Sequence, residues 1–314
     1  MKRYATLALA LALVALALTA CAPKQTFVTI ATGGAAGTYF PLGGAMAEIW
    51  QKDIPGMNAS ATTTGASVAN VNLLREDKVD VIFVQNDIAY YAVNGQEMFA
   101  DAPYPELMGF ATLYQETCQL VALKDSGIAS VADLKGKRVA VGAAGSGVEA
   151  NARQIMEAAG ITYADINVQY LSFAEAANGL KDNNIDAAFL TAGYPTSAVQ
   201  DIAASKDIVV VTIEPAVVDK LLATYPFYTR QTIPGGTYKG VDGDVRTIAV
   251  KAMLAVSSKL DKGVAEKMAS TLFAAGDRLS AAHKQGANIT VANARDGMSL
   301  PLHPGVDKYF GSVK

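Results

Sequence analysis

One supersecondary pattern occurs twice in this sequence, about a hundred residues apart. In the first copy, residues 27–31 form a β-rich run, Gly33-Gly34-Ala35-Ala36-Gly37 a glycine loop, and Leu42, Met46 and Ile49 one face of a helix. A strand at 58–62, a helix over 67–78 with Val68, Val71 and Leu74 on one face, and a strand at 79–85 complete it. The second copy has a strand at 138–142, the loop Gly142-Ala143-Ala144-Gly145-Ser146-Gly147, and a helix whose face is Val148, Ala152, Ile155 and Ala159. A strand at 166–171, a helix over 173–183 and a strand at 185–191 follow. The local text echoes too: Val79-Asp80-Val81-Ile82-Phe83-Val84-Gln85 lines up with Ile185-Asp186-Ala187-Ala188-Phe189-Leu190-Thr191.

Each copy predicts an open parallel sheet. Such sheets bind ligands at the carboxyl ends of their strands, where loops and helix N-termini gather. Two copies therefore predict two α/β lobes with a cleft between them. Beyond the second copy lie another helix and strand to about residue 213, a helix near 217–223, and the turn-rich Pro234-Gly235-Gly236. A long strand over 245–256 and an amphipathic remainder contain no third copy. The remainder is expected to return to the first lobe, with strands near 111–123 and 245–256 as the hinge. The expected division is 27–115 plus 250–314 for lobe I and 116–249 for lobe II.

The chain carries no recognisable catalytic set. Gly142 to Gly147 spells Gly-x-x-Gly-x-Gly, the wrong order for a dinucleotide fingerprint, and neither a P-loop nor a nucleophile elbow occurs. His283 and His303, the only histidines, lie far from the glycine loops and read as structural. With two cysteines, a disulfide framework or zinc site is excluded; Cys118 reads as a small core hydrophobe. With 26 basic against 29 acidic residues, no positive surplus marks a nucleic-acid partner. No cofactor or metal is expected, and the function class is binding rather than catalysis.

What the glycine loops can do is hold an anion. Each follows a strand and opens a helix, where free amides and the positive end of the helix dipole converge. Thr38 and Ser146 add hydroxyls there. The competing reading is tight turn geometry, with Ser146 and Glu149 forming a capping box. At the strand ends, Gln85, Asp87, Thr191, Gly193 and Tyr194 are ligand candidates, as are Ser67 and Asn70 at the second helix start, although Asp87, Ser67 and Asn70 could also serve as caps. Tyr90-Tyr91 and Pro226-Phe227-Tyr228 either line the cleft or belong to lobe core. None of the arginines beyond Arg3 lies in a glycine loop or at a cleft strand end, so the expected ligand is a carboxylate held by amides and hydroxyls. An amino group on it would need an acceptor, for which Asp87 or Glu149 is the nearest candidate.

The first twenty residues have a secretory layout: Lys2 and Arg3, then an uncharged apolar run to Ala20. Leu18-Thr19-Ala20-Cys21 resembles a bacterial lipobox, which predicts a signal peptide over 1–20, acylation of Cys21 and a tether over 21–26. Membrane attachment would then come from acyl chains rather than a basic patch. Without residues 1–20 the chain has 24 basic and 29 acidic side chains, a net charge of −5.

Ile30-Ala31-Thr32-Gly33-Gly34, Gly37-Thr38-Tyr39-Phe40-Pro41-Leu42-Gly43, Phe83-Val84-Gln85, Leu134-Lys135-Gly136-Lys137-Arg138-Val139, Gly145-Ser146-Gly147, Thr191-Ala192-Gly193 and Pro301-Leu302-His303-Pro304-Gly305 resemble the TAXI family. These are the solute-binding proteins of tripartite ATP-independent periplasmic (TRAP) transporters. The resemblance spans nearly all of the chain after the leader and departs at Ala35 and Ala36, where many relatives have threonine and glycine. It implies an α/β, type II periplasmic-binding-protein fold whose two lobes close over a small anion of the glutamate, glutamine or 2-oxoglutarate class. It further implies a periplasmic receptor, expected to be a monomer, that delivers its solute to TRAP membrane subunits. A receptor of the same fold that presents its closed form to a sensor is the alternative. Carried over by motif, the ligand contacts are Gly34, Thr38, Tyr39, Gln85, Gly145, Ser146, Gly147 and Thr191; Ser67 joins them from its position.

Overall fold

A computed structural model describes residues 25–313, so the leader and Cys21 lie outside the described residues. The chain begins with β1 (Thr26–Ala31), α1 (Tyr39–Asp53), β2 (Met57–Thr62), α2 (Ser67–Arg75), β3 (Val81–Gln85) and α3 (Asn86–Asn94). The long strand β4 (Leu107–Leu123) leads to β5 (Arg138–Ala140), α4 (Gly147–Ala158), β6 (Asn167–Gln169), α5 (Phe173–Lys181) and β7 (Ala187–Ala192). Then come α6 (Ser197–Ser205), β8 (Ile208–Val211), α7 (Pro215–Thr224), β9 (Thr229–Ile233) and the second long strand, β10 (Val245–Ser257). Helices α8 (Lys262–Phe273), α9 (Gly276–Ala282) and α10 (Pro304–Ser312) close the chain.

The two copies fold alike. Strands β2, β1 and β3 are parallel neighbours in that order, and β6, β5 and β7 repeat it. Strands β3 and β7 are buried along their whole length because helices cover both faces. The aspartates of the echoed text explain why it is echoed. Asp80 accepts the Thr29 amide at 2.8 Å and Asp186 accepts the Arg138 amide at 2.8 Å, so each pins the first strand of its copy to the start of the third. Arg138 adds an ion pair to Asp186 at 2.7 Å.

The long strands exchange places between the two units. Antiparallel β10 lies against β3, antiparallel β4 against β7, and the two pair with each other at the centre of the sheet. Phe110, Leu113 and Tyr114 of β4 join one hydrophobic core, and Cys118 and Leu120 join another. Along β10, Ile248 and Val250 belong to the second core, Ala252 and Leu254 to the first. Helices α8 and α10 pack into the first core through Met268, Leu272, Val306 and Phe310, and the Trp50 indole of α1 donates to the Met268 carbonyl at 3.0 Å.

One strand departs from the sequence reading. Residues 229–233, just before the turn-rich Pro234-Gly235-Gly236 and given no element from the sequence, form β9, an antiparallel partner of β10. Its text, Thr-Arg-Gln-Thr-Ile, is polar and mostly exposed, so it carries no apolar pattern; the ladder to β10 supplies what its side chains do not.

Both histidines are structural. The His303 ring is fully buried, accepts the Gly305 amide as the cap of α10 and meets the Leu260 carbonyl at 3.0 Å. His283 accepts the Gln285 amide at 3.1 Å. Cys118 is buried, and burial pushes its thiol up to about 12.

Candidate functional site

The carboxyl ends of the parallel strands face each other across a cavity between the two copies. Its walls come from both copies: Gly33, Gly34, Gly37, Thr38, Tyr39, Ser67 and Gln85 from one, Ser146, Gly147 and Thr191 from the other, with Phe173 and Thr64 at the sides. Two helices start at this cavity. The first amides of any helix lack intrahelical partners. No side chain caps α1, and the Ser146 hydroxyl caps α4 only through the Glu149 amide.

The lobes touch through the glycine loops. The Gly145 carbonyl accepts the Val68 and Ala69 amides of α2, each at 3.1 Å, and Thr38 donates to the Gly193 carbonyl at 3.1 Å. At Gly147 the approach is closest: a Cβ there would collide with the Gln85 side-chain amide and lie 3.1 Å from Ile88 Cγ1. Further out, Asn151 of α4 donates to buried Asp87 at 3.1 Å, and Arg153 pairs with Glu97 at 2.9 Å.

One ionisable acid lines the cavity: Glu116 of β4, 2% exposed. Tyr39 donates its hydroxyl to Glu116 Oε2 at 2.8 Å. Burial pushes the Glu116 carboxyl up to about 8, and the Asp87 charge adds to this; hydrogen bonds from Tyr39 and Gln85 pull the other way. Burial, with Glu116 beside it, holds the Tyr39 hydroxyl well above its ordinary range. The Gln85 carbonyl oxygen, on a residue 2% exposed, is without a partner. Among the cavity's walls there is no lysine, arginine or histidine.

Residues 30–311 match the NMT1-like family. The chain belongs to the NMT1-like family. Among solved structures, a protein of Bordetella bronchiseptica RB50 aligns with a TM-score of 0.55 at 17% identity, covering 92% of this chain and 89% of that one. The alkanesulfonate-binding protein SsuA from Xanthomonas axonopodis pv. citri, bound to MOPS, aligns with a TM-score of 0.52 at 14% identity, over 92% and 85% of the two chains. The ligand-binding component of an ABC-type import system from Staphylococcus aureus gives 0.51 at 10% identity, over 88% and 82%. The fold of this NMT1-like protein is thus that of the two-lobed periplasmic solute-binding proteins.

Of the nine ligand contacts expected in the NMT1-like chain, eight line the cavity: Gly34, Thr38, Tyr39, Ser67, Gln85, Ser146, Gly147 and Thr191. Gly145 does not. Its positive φ of 76° turns the carbonyl onto the start of α2, so it joins the lobes instead of facing the space between them. The Ser67 hydroxyl accepts the Gln85 amide at 3.2 Å, and the Thr191 hydroxyl faces Cys118 Sγ at 3.5 Å. Ser146 and Glu149 make half of a capping box; the Glu149 carboxylate takes the Tyr163 hydroxyl at 2.6 Å.

Asn70 is a clamp within the first lobe. Its amide donates to the Thr32 and Phe83 carbonyls at 2.6 and 2.8 Å, and its oxygen accepts the Thr64 hydroxyl at 2.5 Å. Tyr90 and Tyr91 pack on Phe227 outside the cavity walls, with ring centroids at 4.9 and 5.9 Å. Neither Asp87 nor Glu149 lines the cavity; Asp87 is buried at the start of α3, and Glu149 is held by Tyr163 on the outer side of α4. The acid that does face the cavity, Glu116, was missed by the sequence reading. It lies at the centre of β4, a strand read only as a hinge, and its partner Tyr39 is 77 positions away.

Proposed function

We propose that this NMT1-like protein is an extracytoplasmic solute receptor, without catalysis, that captures a small carboxylate of the glutamate, glutamine or 2-oxoglutarate class. The observation that carries this reading is the meeting of two helix N-termini, at Tyr39 and Gly147, on one cavity whose walls hold no basic side chain. Helix ends favour an anion by about 0.3 to 2 kcal/mol each, and more where water is excluded. Hydroxyls at Ser67, Ser146 and Thr191 give additional hydrogen-bonding groups. The oxyanion ligand of the alkanesulfonate-binding protein of the same fold is consistent with an anion site.

Delivery to TRAP-type membrane subunits rests on the motif resemblance from Ile30 to Gly305, and the lipid anchor on Leu18-Thr19-Ala20-Cys21, outside the described residues. A thermal-shift screen of amino acids, dicarboxylates, sulfonates, sugars and polyamines tests the ligand class. Stabilisation by one or more five-carbon carboxylates is expected. Stabilisation by a sugar or polyamine, with none from any carboxylate, overturns the reading.

A further inference from the structure

The cavity contains an acid where a site built only for anions would have none. Glu116 is buried, it lines the space between the lobes, and one of its oxygens is satisfied by Tyr39. Gln85, which hydrogen-bonds this carboxyl, lines the same cavity, and its side-chain carbonyl oxygen is buried and unpartnered. A carboxylate and an amide oxygen are both acceptors, and the buried Gln85 oxygen lacks a donor, which is costly. An ammonium group presents three donors and a positive charge and would satisfy both. A dianion would instead meet Glu116 as a like charge.

We propose that Glu116, oriented by Tyr39 and flanked by the Gln85 carbonyl oxygen, is an ammonium-recognition subsite, and that the solute is an α-amino acid rather than the oxo acid or plain diacid of the same length. This rests on the carboxylate reading above: the helix ends take the carboxylate and Glu116 takes the amino group. Tyr39 is then a positioning residue and a gate on the protonation of Glu116.

The protonation state gives the proposal a signature. The titratable groups around Glu116 are Tyr39 from α1, Asp87 from α3, and Tyr114 and Cys118 from its own strand; each tyrosine and the thiol is held in its neutral form by burial, and no cationic side chain lines the cavity to offset the acid. Burial pushes the Glu116 carboxyl up to about 8. An ammonium ligand needs the carboxylate, so below that pH binding must expel a proton, and affinity rises about tenfold per pH unit up to pH 8. An oxo diacid needs the neutral acid, so its affinity holds below pH 8 and falls above it.

The test is calorimetry of the full protein with L-glutamate, L-glutamine, 2-oxoglutarate and glutarate from pH 6 to pH 8.5, in buffers of differing ionisation enthalpy. The expected result is at least tenfold tighter binding of an amino acid than of 2-oxoglutarate or glutarate at pH 8, strengthening as pH rises from 6 and accompanied by proton release. Glu116→Gln should weaken the amino acid at least tenfold and leave 2-oxoglutarate as tight or tighter. Should that variant not fold, the wild-type pH profile and proton count decide alone. Preferred binding of 2-oxoglutarate or glutarate, or amino-acid binding with no proton release below pH 8, overturns the ammonium subsite while leaving the carboxylate reading intact. Binding of none of the four overturns both.

Discussion

Replacing Gly147 with valine tests whether the contact between the glycine loop and the opposite strand end is what closes the cavity. A Cβ at this position would lie 2.5 Å from Gln85 Cδ and 3.1 Å from Ile88 Cγ1, and would overlap Gln85 Oε1. Gln85 is buried, so its side chain has only the cavity it lines to turn into, where it would occupy ligand space. Residue 147 has no left-handed backbone angle, so valine is conformationally acceptable at the start of α4 and is no poorer a helix former than the glycine it replaces. The steric conflict is between lobes, so the closed form is penalised and each lobe's own core is not. Overpacking of this kind costs about 1 to 3 kcal/mol, which is roughly 5- to 140-fold in affinity. Calorimetry with the best-bound carboxylate reads the affinity, a melting curve without ligand reads the fold, and small-angle scattering reads closure. The variant is expected to bind weakly, to melt within a few degrees of wild type and to stay open at ligand concentrations that close the wild type. Undiminished affinity in a normally folded variant would refute the closure argument.

Two further outcomes rest on the geometry and a third on the leader sequence. Asn70→Ala removes the donor to the Thr32 and Phe83 carbonyls; at about 1 to 3 kcal/mol per buried orphan, urea unfolding should show a loss of roughly 2 to 4 kcal/mol, and a loss under 0.5 would mean the clamp is dispensable. Asp87 is buried, and desolvation raises its carboxyl from the ordinary 3.8 to about 6, so its native state favours the neutral acid; stability from this group is full below pH 4 and is lost as pH rises through 6. Asp87→Asn should therefore match wild type at pH 4 and melt higher at pH 8, by about 3 kcal/mol at most; a gap that shrinks with rising pH contradicts the assignment. Cys21→Ala should move the protein from the membrane fraction to the soluble periplasm, and continued membrane binding would rule out the lipid anchor.

The repeated architecture was legible because its signals are local: apolar runs of strand length, helix faces at three- and four-residue spacing, and glycines at the turns between them. Asp80 and Asp186 stood in matching text because each does the same backbone job at the same strand start. What the text hid is long-range. Glu116 occupies a strand in which Phe110 and Leu113 face one core and Leu120 another, so its neighbours describe a buried hinge and say nothing of a cavity. The partner that betrays it, Tyr39, is 77 positions away in the sequence. Gly145 shows the same limit: a glycine loop after a strand has the same sequence whether its carbonyl faces a ligand or the amides of the facing lobe's helix.

The central claim is that the space between the glycine loops holds a small carboxylate. Native mass spectrometry of the protein incubated with an equimolar mixture of glutamate, glutamine, 2-oxoglutarate, an alkanesulfonate, a hexose and a polyamine tests it most directly. The account predicts one bound molecule per chain, with the mass of a five-carbon carboxylate, lost when Gly147 is replaced by valine. A single adduct of the sulfonate, the hexose or the polyamine, with no carboxylate retained, would contradict it.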